Sequence, residues 1–196
     1  MICLEAPRLL IRDHLESDLA DLHVLLSDPE AMRYLPDIHC ASLAQSMENL
    51  RTALQETHRS DRTKYYLAVL EKDSGTYVGE VGVTIVACGL GQLGYFVLRK
   101  HWGKGYVTEA AQALLAYSFG TLGLHKISSG CLLENAASER VMIRCGMRKE
   151  AHLRAHVWHE GAWKDRVEYG VLRQEWAAPS PRSRDRWGGC GEQAPP

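Results

Sequence analysis

A chain of 196 residues with 45% hydrophobic content is long enough to bury one core of ordinary size. Its formal net charge of −1 argues against a nucleic-acid surface, and no stretch approaches the ~20 consecutive apolar residues of a membrane span. Met1–Glu5 lacks the basic region and long apolar run of a signal peptide, and the six cysteines lie far apart with no C-x-x-C pair, as reduced thiols do. The expectation is a soluble, cytoplasmic protein whose partners are neither membrane nor nucleic acid.

Arg8–Arg12 reads as a first strand. Ser17 stands in an N-cap position before a helix with Leu19, Leu22, Leu25 and Leu26 on one face, stopped by Asp28-Pro29. Met32 to Cys40 is an irregular loop carrying Tyr34, Pro36 and His39. Ser42 and Gln45 form a capping box for a second helix, whose core face is Leu43, Met47, Leu50 and Leu54. Tyr65–Leu70, a turn at Lys72-Asp73-Ser74-Gly75 and Thr76–Val86 make an antiparallel hairpin. Gly89-Leu90-Gly91 turns the chain into a strand ending at Leu98, and Lys126–Leu132 is another. A helix between those two strands makes a right-handed parallel crossover. Ser138 caps a short helix ending at Gly146, and Arg148–Trp158 with Trp163–Leu172 forms a last hairpin around Glu160-Gly161.

The predicted fold class is α/β, with a mixed, mostly antiparallel sheet and helices on both faces. Residues 177–196 are rich in Ala, Pro, Ser, Arg and Gly without apolar periodicity. They are expected to form a disordered tail with Cys190 exposed, because they cannot bury enough surface to offset their ordering entropy.

Two motifs mislead. Gly89-Leu90-Gly91-Gln92-Leu93-Gly94 spells a dinucleotide fingerprint, yet Tyr95-Phe96-Val97-Leu98 is strand-like where that motif needs a helix. His152, His156 and His159 suggest zinc, but on a strand His159 points away from the face of the other two. No cysteine or carboxylate cluster at ligand spacing joins them, so no metal is expected.

The most informative stretch is His101-Trp102-Gly103-Lys104-Gly105-Tyr106-Val107-Thr108-Glu109-Ala110. A helix begins near Tyr106, with Val107, Ala110, Ala111, Leu114, Leu115 and Ser118 at helical spacing. The first N–H groups of a helix need partners, and no Ser, Thr, Asp or Asn between Arg99 and Val107 supplies one. Glycines that let backbone approach a ligand, a lysine and the helix dipole together favour an anion. The stretch reads either as a phosphate cradle or as a glycine-rich connection whose N–H groups are hydrated.

The longer pattern resembles the GNAT superfamily of acyl-CoA N-acyltransferases, whose signature is Arg or Gln, two residues, Gly, one residue, then Gly or Ala. Trp102-Gly103-Lys104-Gly105-Tyr106-Val107 departs at its first and last positions, where Trp102 and Val107 stand. W-G-K-G-Y followed by T-E-A looks like the RimJ/RimL-type branch. Asn135-Ala136-Ala137-Ser138, Cys145-Gly146-Met147 and Glu175-Trp176 extend the likeness over residues 7 to 176, which would make residues 1–176 a single GNAT-like domain.

The resemblance implies acetyl-CoA as acyl donor, with Gly103, Lys104, Gly105, Tyr106, Val107 and Thr108 holding its pyrophosphate. Pantetheine would lie along Tyr95, Phe96 and Val97 where the sheet splays, and an N–H near Phe96 or Val97 would polarise the thioester. Asn135 would bind the cofactor by its amide, and Ser138 would sit by the sulfur. Many family members place a Tyr seven residues after the Asn as acid; here that position is Met142, which leaves Ser138. A frequent base position falls at Gly130, which cannot serve.

Amine attack needs a group to take the ammonium proton. Glu80, a carboxylate within an apolar strand, is the candidate base, with a solvated edge-facing glutamate as its plain alternative. Glu134, His156 or a water chain are others. The implied function is N-acetylation of a primary amine, either a protein N-terminus or a small molecule, by a monomer or homodimer. A longer acyl donor and a non-catalytic acyl-CoA sensor are the alternatives.

Overall fold

The computed structural model describes residues 1–177. The predicted tail with Cys190 lies outside the described residues, except Ala177, which ends a helical turn. In chain order the elements are β1 (Cys3–Glu5), β2 (Leu9–Asp13), α1 (Leu19–Leu26), α2 (Leu43–Thr57), β3 (Lys64–Glu71), β4 (Tyr77–Ala87) and β5 (Leu90–Val97). There follow α3 (Tyr106–Gly120), β6 (Lys126–Leu132), α4 (Ala136–Arg144), β7 (Arg148–His159), β8 (Ala162–Leu172) and α5 (Arg173–Ala177). The strands form one eight-stranded sheet in the order β1-β2-β3-β4-β5-β6-β8-β7. Every neighbouring pair is antiparallel except β5 with β6. No helix among the described residues is long and apolar enough to cross a membrane.

Burial on both faces explains the near-continuous apolar runs of β3 and β4. Leu67 and Val69 join Leu114, Leu115 and Phe119 of α3 and Met142 of α4 in one core. Ala68, on the opposite face of β3, joins Leu22, Leu25 and Leu26 of α1 and Leu50 of α2 in a second core. Alternation along a strand delivers successive side chains to these two cores. The last hairpin turns through Glu160 and Gly161, at φ +48° and +76°, the left-handed pair that a tight two-residue turn requires.

Four local expectations differ from the structure. β1 was hidden because three residues carry no period; it pairs with β2 through Cys3 opposite Arg12. Ser17 is no cap: it lies in a 3₁₀ turn over Glu16–Asp18, and Asp18 holds the position before α1. The buried face of α2 is Ser46, Leu50, Ala53 and Glu56, whereas Leu43 is exposed. Burial of the polar pair is compensated: Ser46 Oγ lies 2.9 Å from His23 Nδ1, and Glu56 accepts the Thr63 and Lys64 N–H groups. Ser138 does not cap α4; that place belongs to Asn135.

The capping box is present, with Ser42 Oγ accepting from Gln45 N–H at 3.3 Å and Gln45 Oε1 accepting from Ser42 N–H at 3.1 Å. Ser42→Ala should cost about 1 kcal/mol, read as a lower denaturant midpoint at unchanged slope.

Candidate active site

β5 and β6 pair only through Leu90–Lys126, Gly91–Ile127 and Gln92–Ser128, although β5 runs on to Val97 and β6 to Leu132. Beyond that point the strands part, and Ser129 Oγ donates across the gap to the Leu93 carbonyl at 2.9 Å. Trp102 Nε1 donates to the Val97 carbonyl at 3.1 Å. Main-chain groups of an antiparallel strand alternate in direction, so residues 93, 95 and 97 turn theirs toward the gap. By the same alternation the Phe96 N–H turns back toward β4, where Phe96 faces Glu80. Of the two N–H groups named from the sequence, that of Val97 is the one directed into the cleft.

A cavity of about 1270 Å³ follows this gap from the N-terminus of α3 to the loop around Tyr34–Ile38. It is lined by Tyr95, Phe96, Val97, Gly103, Gly105, Tyr106, Val107, Thr108, Asn135, Ser138 and Glu80, so of the cofactor-binding residues and the two leading catalytic candidates expected from the sequence all but one meet there. Lys104 is the exception. Its exposed side chain stands outside the lining, while its carbonyl accepts from Arg8 Nη1 at 3.1 Å.

The turn before α3 is built on two left-handed glycines, Gly103 at φ +74° and Gly105 at φ +80°. Gly105 is the N-cap and offers no side-chain bond. Among the described residues no acceptor takes the backbone N–H groups of residues 103 to 108; the first one satisfied is Glu109, onto the Gly105 carbonyl at 3.1 Å. From behind, Arg8 braces the turn: it pairs with Glu109 at 2.7 Å and stacks 4.6 Å from the Tyr106 ring centre. Arg140 and Arg144 of α4 also line the cavity and pair with no carboxylate among the described residues. Sequence reasoning missed both arginines, because their i, i+4 spacing reads as an ordinary solvated helix face.

At the start of α4 the Asn135 Oδ1 accepts from Ser138 N–H at 3.1 Å. That frees the Ser138 hydroxyl, whose Oγ lies 2.9 Å from the Tyr95 hydroxyl; the latter also donates to the Ser138 carbonyl at 3.0 Å. Burial pushes the Tyr95 phenol well above its ordinary range against the opposing Ser138 bond, so it keeps its proton. Met142 is fully buried in the core and has no access to the cleft.

Glu80 lies on the α1–α2 face of the sheet, and its Oε2 is 3.0 Å from His14 Nε2. It is a cavity-lining carboxylate rather than a solvated edge residue, its side chain being 15% exposed. Glu134 also lines the cavity but is paired with Lys164 at 2.9 Å. His156 is exposed and outside the lining, which removes it as a base. The space beside Gly130 is filled by the Glu168 carboxylate and the Arg166 guanidinium, which pair with each other.

The loop around Tyr34 and the last hairpin close together over this end. Arg33 makes a bidentate pair with Glu160 (3.0 and 2.9 Å), and Tyr34 stacks on buried His159 with ring centres 5.6 Å apart. His152 is instead held by Asp165 at 2.7 Å. Glu134, His159 and Glu160 bring one ligand-type atom each within 4.8 Å of one another, but Lys164 and Arg33 already neutralise both carboxylates.

A family profile describing an acetyltransferase (GNAT) domain matches residues 8–148. An N-acetyltransferase described as uncharacterized, YnaD of Bacillus subtilis (strain 168), is 30% identical over 171 residues, 86% of this chain and 96% of that protein. The [ribosomal protein uS5]-alanine N-acetyltransferase of Escherichia coli (strain K12) is 25% identical over 126 residues, 63% of this chain and 64% of that protein. Among solved structures, spermidine N-acetyltransferase from Vibrio cholerae in complex with CoA and spermine superposes with a TM-score of 0.76. That match covers 87% of this chain and 99% of the other at 22% identity, a likeness of fold. A sheet splayed beside an uncapped helix start, a profile spanning most of the chain and a relative matched along nearly its whole length agree: the chain belongs to the GNAT family and is an N-acetyltransferase.

Proposed function

We propose that this enzyme moves the acetyl group of acetyl-CoA onto a primary amine by direct attack, with both substrates bound at once. The observation that carries the reading is the arc of unsatisfied N–H groups at residues 103–108, opening onto a cleft whose wall is the free edge of β5. Those donors at a helix N-terminus suit a diphosphate, and Arg140 and Arg144 suit the remaining phosphate charge of the same donor. The edge of β5 pairs with the amides of an extended pantetheine arm as a neighbouring strand would. The Asn135 Nδ2 group, free of the cap bond made by Oδ1, donates to the same arm.

In the proposed reaction Glu80 takes the proton of the acceptor ammonium, and the amine nitrogen attacks the thioester carbonyl. The Val97 N–H receives the charge that develops on the carbonyl oxygen; loss of such a donor typically costs about 3 to 4 kcal/mol. As the carbon–sulfur bond breaks, the Ser138 hydroxyl gives its proton to the thiolate and takes up the second proton shed by the attacking nitrogen as it becomes the amide, so the serine ends neutral and hydrogen-bonded to the Tyr95 phenol. The acceptor enters from the side of Glu30, Tyr34 and Asp37, where carboxylates suit a cationic amine. Relatives whose names specify a ribosomal-protein alanine or spermidine support both a protein N-terminus and a small polyamine as acceptor classes. A monomer or a homodimer completes the reading, and the free cysteines among the described residues suit a cytoplasmic setting.

Release of free thiol from acetyl-CoA across a panel of amines tests the assignment. Tight binding of acetyl-CoA without turnover on any amine would leave an acyl-CoA sensor. Glu80→Gln should lower kcat by about 100-fold or more with acetyl-CoA affinity nearly unchanged, and full activity would remove Glu80 as base. Gly105→Val forces a β-branched residue to φ +80°, at a cost of about 1 to 3 kcal/mol, and misaligns the donors. It should weaken acetyl-CoA binding at least tenfold by calorimetry while far-UV dichroism stays native; unchanged affinity would contradict the cradle.

A further inference from the structure

His14 follows β2 directly, and its side chain has no exposed surface. Its Nε2 lies 3.0 Å from Glu80 Oε2, and its Nδ1 lies 3.5 Å from Asp18 Oδ2. Asp18 is itself clamped by Arg12 at 2.7 and 2.8 Å and accepts the Leu15 N–H at 2.8 Å. The Tyr77 ring of β4 is tilted against the imidazole with centres 6.4 Å apart. Its buried hydroxyl has no partner, and Asp21 of α1 faces it electrostatically. The neighbouring Asp13 is engaged elsewhere, by Arg62 at 2.7 Å and by the Ile2 N–H at 2.6 Å. Arg12, Asp18, His14 and Glu80 thus form a row of alternating charge that begins inside the protein and ends at the cavity.

Such a row costs more than an apolar plug of the same volume unless its members are paired. Burial alone would drive the imidazole neutral, yet the Asp18 carboxylate 3.5 Å from its Nδ1 and its hydrogen bond to Glu80 outweigh burial and raise His14 to about 9. A carboxylate near each ring nitrogen favours the imidazolium, the one form that carries an N–H on both, although the Asp18 contact at 3.5 Å is an ion pair and Nδ1 makes no hydrogen bond. Asp18 keeps Arg12 and the Leu15 N–H in any event. Glu80 has no hydrogen-bond donor but His14 among the described residues.

We propose that His14 is the positioning residue of the acceptor-activating carboxylate: its Nε2–H holds Glu80 Oε2 and leaves Oε1 for the ammonium proton. The inference rests on Glu80 acting as base. It places the residue that aims the base 66 positions away in sequence, directly after β2 and behind the cavity lining.

His14→Leu removes the donor and His14→Gln keeps an N–H near the same place. Steady-state kinetics on one amine should show kcat reduced tenfold or more in His14→Leu, with KM for acetyl-CoA within twofold. His14→Gln should recover kcat to within about threefold of wild type. The wild-type kcat should fall as pH rises through about 9, where the imidazolium deprotonates and one carboxylate loses its donor, and His14→Gln should lack that limb. Comparing the two on the same acceptor cancels the titration of the amine. Linkage gives an independent check. A folded-state value raised from 6.5 to about 9 contributes stability that is full below pH 6.5 and lost as pH rises through 9. The denaturation midpoint should therefore decline over that window in wild type and less in His14→Gln. Full turnover in His14→Leu, or an unchanged alkaline limb in His14→Gln, overturns the proposal. Should His14→Leu not fold, the His14→Gln profile decides alone. Glu80→Gln in the same assays separates the two ideas. If it stays fully active, the base assignment has failed; if it is inactive while the His14 variants behave as wild type, only the positioning role has failed.

Discussion

A buried sheet cannot simply stop pairing in its middle, because every N–H and C=O left behind needs a partner. Between β5 and β6 only three residue pairs hold, and the rest of the molecule is arranged around that break. Ser129 satisfies the Leu93 carbonyl and the Trp102 indole satisfies that of Val97, so the exposed acceptors at the two ends of the free edge are closed off. What remains between them is a short stretch of unpaired backbone facing a cavity. An edge strand on the outside of a sheet invites aggregation, whereas this one is enclosed by helices on both faces and is reachable only along the cleft. The same break sets where α3 begins, since the turn after β5 must bring the chain back over the sheet, and its uncapped start comes to lie at the mouth of the opening.

The two ends of the cavity are chemically unlike, and each is held by buried or braced charges that do not themselves face it. At the α3 end, Arg8 ties Glu109 and the Lys104 carbonyl together from behind, which fixes the turn without occupying its N–H groups. Tyr106 extends that brace by donating to Glu71 at 2.9 Å. At the other end the row from Arg12 to Glu80 presents one carboxylate to the cavity, whose lining also includes Glu30 and Asp37. An anion is favoured on one side and a cation on the other, separated by the apolar wall of Phe96 and Val97. In the proposed reaction this polarity sorts an acyl donor rich in phosphate from an acceptor bearing ammonium before either reaches the reacting atoms.

Strong periodicity made most of the elements legible. The strands of the central sheet, the start of α3 at Tyr106 and the capping box at Ser42 all follow from pattern and turn chemistry. Where reading failed, the competing force was tertiary. The face of α2 turned toward Ser46 and Glu56 because His23 and the Thr63–Lys64 backbone offered them partners, and no local pattern reveals such partners. Ser138 lost its capping role because Asn135, three residues earlier, is as good a cap and left the serine hydroxyl to Tyr95. His14 left no trace in the sequence as a functional residue: one partner is four residues away, but the one that gives it meaning lies across the sheet on β4.

At each position where this chain departs from the family pattern, another contact occupies the place. Trp102 stands where the signature has Arg or Gln, yet it still provides a nitrogen donor, and that donor closes the end of β5. Met142 stands where many members carry a tyrosine on α4, and a tyrosine hydroxyl reaches that helix one turn earlier, at Ser138, from β5 through Tyr95. Gly130 lacks a carboxylate of its own, but a side chain there would collide with Glu168 and Arg166, which already fill its space from β8. Arg166 pairs with Glu168, and in the proposed chemistry proton removal falls to Glu80 on β4 and thiolate protonation to Ser138 beside Tyr95. Each substitution taken alone would argue for a lost activity. Taken with the contacts that replace them, they argue for the proposed reaction carried out by side chains from β4, β5 and α4.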